Sequence, residues 1–220
     1  MERGSELLVL AGNPVHEDMV EAYQMVNRPV FSVQLVQDRK HRLLSVRHGS
    51  VHDSFTQACR DAHRVFAVPV TEEADLVVSV LGKPYDINFY QAQRAVEFAR
   101  PVLRQPSVHV TVSACRDGVG NDGFLQVFRG CAAAADVLDC VADDARLGWH
   151  KSARLAQIMV NTRLCTVMGI PDDVVRTAFM TPFRSVQAAV DAALAELGGA
   201  ARVYVIPDAG AVVPVLTPPA

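Results

Sequence analysis

Four short apolar runs rich in β-branched residues, Leu76 to Val80, Val108 to Ser113, Leu164 to Met168 and Val203 to Ile206, constrain this chain more than anything else in it. Helical patterns separate them at about 88–100, 124–142, 150–161 and 185–197. Runs of this kind read as buried parallel strands. Strands alternating with helices predict an α/β, layered, Rossmann-like domain with a mostly parallel sheet and helices on both faces, because crossovers are right-handed. Upstream, "PVFSVQLVQDRKHRLLSVRHGS" reads as an N-terminal β-hairpin around the polar turn Asp38 to His41. Before it, Asn13 caps a helix that runs to about Val26, with Pro14 at its first position and Glu17 and Asp18 complementing the dipole. After it, Val51, Phe55, Ala58 and Ala62 make one stripe of a helix ending near Arg64. No repeat or linker interrupts the pattern, so residues 1–220 read as a single domain. The apolar, proline-rich tail "AVVPVLTPPA" is expected to lie over a surface.

Charge and cysteine usage exclude several classes of function. The 21 basic residues are scattered and the net charge is -3, so the footprint of a nucleic-acid binder is missing. No apolar stretch is long enough to span a membrane, and the short one at the N-terminus is cut by Gly12 and Pro14, unlike a signal peptide. A cytoplasmic location is expected. Cysteines 59, 115, 131, 140 and 165 are odd in number, lack CxxC spacing and read as reduced thiols. His48 and His52 are four apart with Gly49 between them, and are expected to straddle a helix start rather than to ligate a metal.

Chemistry in an open parallel sheet belongs beyond the carboxyl ends of the strands. Four loops should gather there: "LGKPYDIN", "ACRDGVGNDG", "GIPDD" and "PDAGAVVP". The second contains a literal GxGxxG, Gly118 to Gly123. Its distance from the strand, the charge of Asp122 and the helical run that follows all argue against a dinucleotide cradle. Cys115 has no histidine nearby in sequence to activate it and reads as structural. In the helix after the first loop, Asp86 is the expected cap. Ile87, Ala95, Phe98 and Val102 form the apolar stripe, and Gln93, Glu97 and Arg100 the water side. Gln91 and Arg94 fall inside that stripe. A guanidinium there needs a partner, because burying it unpaired costs at least several kcal/mol. An internal acid and a bound ligand are both open. A small carboxylate with an adjacent oxygen function suits the pair, since arginine offers two parallel donors and glutamine donates or accepts. Trp149 and His150 begin a helix on which His150, Arg154 and Gln157 make a polar stripe. Turned to the same edge, an aromatic plane and an imidazole would suit a flat heteroaromatic cofactor. Position alone does not decide.

Several segments, in order, resemble the C-terminal domain of the nickel-dependent lactate racemase family, which includes racemases and epimerases of other 2-hydroxy acids. They are "GNPVHEDMVEA", "ADLVVSVLGKPYDINFYQAQRA", "CRDGVGNDGF", "LGWHKSARLA", "SVQAAVDAALAELG" and "VYVIPDAG". The resemblance implies inversion at C2 by hydride abstraction and return, with a nickel pincer nucleotide in a cleft between two domains. It implies that Gln91 and Arg94, with Tyr90 and Asp86 of the same segment, contact substrate, and that Trp149 or His150 lies beside the cofactor. The chain departs from the family where Arg94 stands for the usual lysine, Leu81 for a frequent glycine, and near Lys83, where an aromatic is usual. The family's cofactor-anchoring lysine, histidine ligand to nickel and paired catalytic histidines belong to an N-terminal domain. This chain is therefore expected to carry no catalytic residue or metal ligand, to hold no cofactor alone, and to work with an N-terminal domain or subunit as partner. A non-catalytic small-carboxylate binding module and a nicotinamide-dependent oxidoreductase using "GVGNDG" are the alternatives.

Overall fold

The structure is a computed structural model and describes residues 4–142, 146 and 148–217. The chain divides into two compact units, Met1–Ala67 and Val68–Ala220. In the first, helix α1 (Pro14–Gln24) starts where its residues predict: the Asn13 side chain accepts the Val15 N–H at 3.1 Å, and Pro14 fills the first turn. Strands β1 (Ser32–Gln37) and β2 (Leu43–Gly49) form the antiparallel hairpin. Its turn is held by the Asp38 carboxylate, which accepts the N–H groups of Lys40 at 2.8 Å and Arg42 at 3.0 Å. Helix α2 (Val51–Phe66) is capped by Ser50, whose hydroxyl accepts the Asp53 N–H at 3.1 Å, so His48 and His52 do straddle a helix start.

The second unit opens with β3 (Ala67–Val70) and β4 (Ala74–Val80). Then come α3 (Phe89–Ala92), α4 (Arg94–Ala99) and β5 (Leu103–Ser113), followed by α5 (Asp122–Arg129), α6 (Asp136–Ala142) and α7 (Trp149–Met159). The rest is β6 (Thr162–Met168), α8 (Asp172–Thr177), β7 (Thr181–Pro182), α9 (Val186–Leu197), β8 (Val203–Ile206) and β9 (Val213–Leu216). All four apolar runs are strands of one parallel five-stranded sheet, ordered β7-β6-β5-β4-β8. Side chains of alternating strand positions feed two cores. Val77 and Leu164 pack with Phe89, Val96, Phe124, Phe128 and Leu155 on one face, and Leu76, Val78, Val108 and Val110 pack with Ala189 and Ala193 of α9 on the other. Helices therefore cover both faces, as the alternation of elements predicts.

Three expectations change. The helix expected over 88–100 breaks at Gln93, whose carbonyl accepts both Val96 N–H and Glu97 N–H; of the expected stripe Ala95 and Val102 are buried while Ile87 is exposed, and Ala92, Val96 and Ala99 are buried as well. The helix expected over 124–142 is two helices. Gly130 ends α5, and the Asp136 carboxylate takes the N–H groups of Ala132 at 3.1 Å and Ala133 at 2.8 Å to start another. The tail is not merely draped over a surface: Val213 and Pro214 are buried and β9 pairs with β3, while residues 218–220 lie outside the described residues. Helix α8 and the short β7 carry no periodic signal long enough to read.

One core residue links the fold to pH. His109 in β5 is wholly buried, with Nε2 3.0 Å from Ser79 Oγ and Nδ1 3.3 Å from Thr111 Oγ1. Desolvation holds its pKa down to about 3. The unfolded chain takes up this proton near pH 6.5 and the folded chain does not, so stability is complete above that pH and falls as the pH drops toward 3. Urea titrations followed through Trp149 should show a loss of about 2 kcal/mol between pH 6.5 and 5 from this residue, and His109→Asn should flatten that slope.

Candidate functional site

Because β4, β5, β6 and β8 run parallel, their carboxyl ends place the four distinctive loops along one edge. The first two loops are zipped together through the backbone. Asp117 N–H donates to Ile87 O at 2.7 Å, Phe89 N–H to Gly118 O at 2.9 Å and Tyr90 N–H to Val119 O at 3.0 Å. Arg116 and Asp86 clamp the same junction at 2.6 Å. Asp86 is buried in that ion pair and does not cap the helix. Asn88 does, accepting Gln91 N–H at 2.9 Å. This explains two glycines of the GxGxxG stretch. Gly118 and Gly120 sit at φ 67 and 89, and a Cβ on Gly120 would stand 2.4 Å from Asn88 Cγ. The fourth loop closes on the first: Ala209 N–H donates to Val80 O at 2.9 Å, and a Cβ on Gly210 would stand 2.4 Å from the Tyr85 ring.

On this platform sit two neighbouring cations, Arg94 and Lys151. Arg94 opens α4, half-buried, with its guanidinium carbon 4.4 Å from the centre of the Tyr85 ring and 5.7 Å from that of Phe98. Among the described residues it makes no ion pair or hydrogen bond within ordinary contact distance. Two aromatic faces hold the charge without neutralising it. Beside it, Lys151 of α7 donates to Tyr90 O at 2.8 Å and lies 4.0 Å from the Tyr90 ring centre. Its pKa is pushed down to about 8, chiefly by desolvation and then by the charge of Arg94, against a smaller opposing effect of Glu97. The Gln91 side chain, half-buried one helical turn before Arg94, makes no hydrogen bond to another described residue. Tyr90, Gln91, Arg94 and Lys151 thus form a half-buried, net positive site with free donors, and the chemistry it suits is capture of a small oxyanion.

Lys151 escapes the sequence reading, although it leaves a signal there. A lysine in the first turn of a helix opposes the dipole, where an acid would be expected. The water side assigned to Gln93, Glu97 and Arg100 also needs correction. Gln93 is buried and donates to Glu97 at 3.2 Å, and Glu97 pairs with Arg154 at 3.2 Å with both side chains largely covered. Burial raises the Glu97 pKa against the pull of Arg154 and Arg100. Of the polar stripe read on α7, Arg154 therefore belongs to an internal network, while His150 and Gln157 are exposed.

Trp149 and His150 lie at the start of the same helix. The Trp149 ring packs against the core with Arg146 over it at 5.0 Å, and its buried Nε1–H has no acceptor among the described residues. His150 is exposed, and desolvation followed by the Lys151 charge lowers its pKa. No group of three or more histidines, cysteines, aspartates or glutamates among the described residues is arranged to hold a metal. Cys115 is buried with its thiol pushed up, first by desolvation, and Cys131, 3.3 Å from Cys140, is pushed up to about 11 for the same leading reason. Neither is an activated nucleophile. A depression lined by Pro106, Asn161, Thr162 and Glu196 lies at the opposite, amino end of β5 and β6 and has no part in this arrangement. No helix among the described residues is long and apolar enough to cross a membrane.

Fold and site together define a class: a layered α/β domain with a half-buried cationic cluster at the carboxyl edge of its parallel sheet. Within that class the chain belongs to the lactate racemase C-terminal domain family, whose family model matches residues 70–214. It is 24% identical over 210 residues to lactate racemase of Thermoanaerobacterium thermosaccharolyticum, covering 93% of this chain and 49% of that protein. It is 26% identical over 206 residues to lactate racemase of Lactiplantibacillus plantarum, covering 90% and 48%. The solved lactate racemase apoprotein from T. thermosaccharolyticum superimposes with a TM-score of 0.87 at 24% identity, over 94% of this chain and 50% of that one. A Thermotoga maritima protein gives 0.65 at 13% identity, over 93% and 54%. These likenesses show the fold. The chain spans about half the length of the curated relatives it matches.

Proposed function

We propose that this chain is the substrate-holding half of a lactate or other 2-hydroxy-acid racemase, inactive until joined by an N-terminal half. The observation that carries this reading is the guanidinium of Arg94, half-buried on Tyr85 and Phe98 with no acid tied to it among the described residues. Arg94 holds the substrate carboxylate through two donors. Gln91, whose amide atoms bond to no other described residue, fixes the adjacent hydroxyl. Lys151 adds a second positive charge that draws the anion in and keeps the site unfavourable for neutral alcohols. Tyr90 positions Lys151 through its carbonyl and ring. Asp86, held by Arg116, shapes the loop that carries Tyr90 and Gln91.

The residues present fit the organic part of a nickel pincer nucleotide and not its metal. Trp149, packed against the core at the start of α7, would form a wall beside that group, with the exposed His150 next to it as the imidazole open to contact. When bound, such a group supplies a hydride acceptor for the substrate C2. This chain's part is to orient C2 by gripping the carboxylate and hydroxyl, and the proton acceptors for the hydroxyl come from the N-terminal half.

Mixing the chain with a cofactor-loaded N-terminal half and following interconversion of D- and L-lactate, or of other 2-hydroxy acids, tests the reading. Turnover in the mixture and in neither part alone is expected. Binding of hydroxy acid without turnover across the series would contradict it. A pH profile adds a second check. With Lys151 losing its proton near pH 8, lactate affinity should weaken as the pH rises through and above 8, and Lys151→Met should remove that dependence.

A further inference from the structure

The hairpin unit is built inside out. The β1–β2 side chains turned toward α2 are largely polar: Ser32 and Gln34 bond to each other at 2.9 Å, and Arg47 and Ser45 converge on Asp61 of α2, with Arg47 at 2.6 Å. The opposite face carries Val33, Leu35, Leu44 and Val46, exposed by 56, 56, 47 and 45%, with Phe31 71% exposed at its margin. Leu35 and Val46 are cross-strand partners, so the apolar patch is continuous. A sheet with one solvated face normally turns its polar residues to water, and this one does the reverse.

The imbalance extends through the unit. Fifteen of the twenty-two exposed large apolar side chains among the described residues precede Val68, including Val15 and Met19 of α1. Among the described residues its buried apolar side chains are only Val36 and Ala58. A segment of this size with so little core does not offset the entropy of ordering its backbone. It needs apolar surface from elsewhere. The family model begins at residue 70, yet the likeness to the lactate racemases covers 93% of the chain and so takes in this unit as well. Those relatives are twice as long.

We infer that the outer face of the β1–β2 hairpin is a docking surface for polypeptide equivalent to the N-terminal half of the lactate racemases, and that the unit is one edge of that lobe rather than part of the C-terminal domain. The inference rests on the reading that the chain works with such a half, and it adds where the two meet. Leu35, Val46, Val33 and Leu44 seat in the partner's core, while the Arg47–Asp61–Ser45 network fixes α2 behind them.

The probe is the part of T. thermosaccharolyticum lactate racemase that precedes the stretch matched by this chain, carrying an affinity tag. It should retain this chain, and amide exchange over residues 32–49 should slow by about tenfold or more in the complex. Leu35→Lys with Val46→Lys should abolish retention while Trp149 fluorescence and lactate binding at Arg94 stay unchanged, which shows that the second unit is intact. Equal retention of the double variant, unchanged exchange over 32–49, or protection of the hairpin by self-association of this chain alone would each overturn the inference. None of these readouts uses turnover, so docking can fail while Arg94-dependent lactate binding persists, and the two ideas are judged separately.

Discussion

Arg94→Ala in the assembled two-part enzyme is expected to lower kcat/KM for its hydroxy acid by about 30-fold or more, the equivalent of about 2 kcal/mol for losing a charged hydrogen-bond partner. The side chain is held by ring faces and by no acid among the described residues, so its removal leaves no structural ion pair broken and the fold should survive. Arg94→Lys should recover much of the loss, because a point charge in the same place still attracts the carboxylate while the paired donors are gone. Steady-state kinetics beside a thermal melt checks both. An unchanged kcat/KM in a folded Arg94→Ala enzyme would remove the substrate role from this residue.

Phe124→Ala is expected to cost about 3–5 kcal/mol of stability. Its ring is fully buried and meets Phe89 edge-on at 5.2 Å, Tyr90 at 5.9 Å and Phe128 at 5.9 Å. It therefore joins α5 to the helix turn that carries Gln91. Denaturant midpoints read through Trp149 report on this unit, because the tryptophan lies within it. Phe124→Leu leaves a smaller cavity and should cost about 1–2 kcal/mol, which keeps the comparison measurable should the alanine variant fail to fold. A loss below about 1 kcal/mol for alanine would show that the site rests on other contacts.

The parallel sheet was legible because each of its long strands is an apolar run bounded by turn residues, and such runs fit few environments. What was not legible depends on contacts distant in sequence. Gln93 stands at a position that faces water on an unbroken helix, and only the break at its own carbonyl and the approach of Arg154 turn it inward. Asp86 reads as a cap until Arg116, thirty residues on, claims it and leaves the capping to Asn88. The anomaly at Arg94 was visible as a cation among apolar positions, but the choice between an internal acid and an open site required knowing what surrounds it. Lys151 could have been found by asking why a cation opens a helix. The outward hydrophobicity of the hairpin shows as alternation in sequence, but alternation does not say which face the helix covers.

The central claim is that Arg94 and Lys151 form an oxyanion site at the carboxyl edge of the sheet. The most direct test follows the side-chain N–H resonance of Arg94 by NMR during titration with L-lactate and, separately, with propane-1,2-diol, which keeps the hydroxyl and lacks the carboxylate. Saturable movement with lactate, little with the diol, and a weaker lactate response above pH 8 are predicted. A resonance that ignores lactate, or that already carries the signature of a carboxylate partner in the free protein, would contradict it.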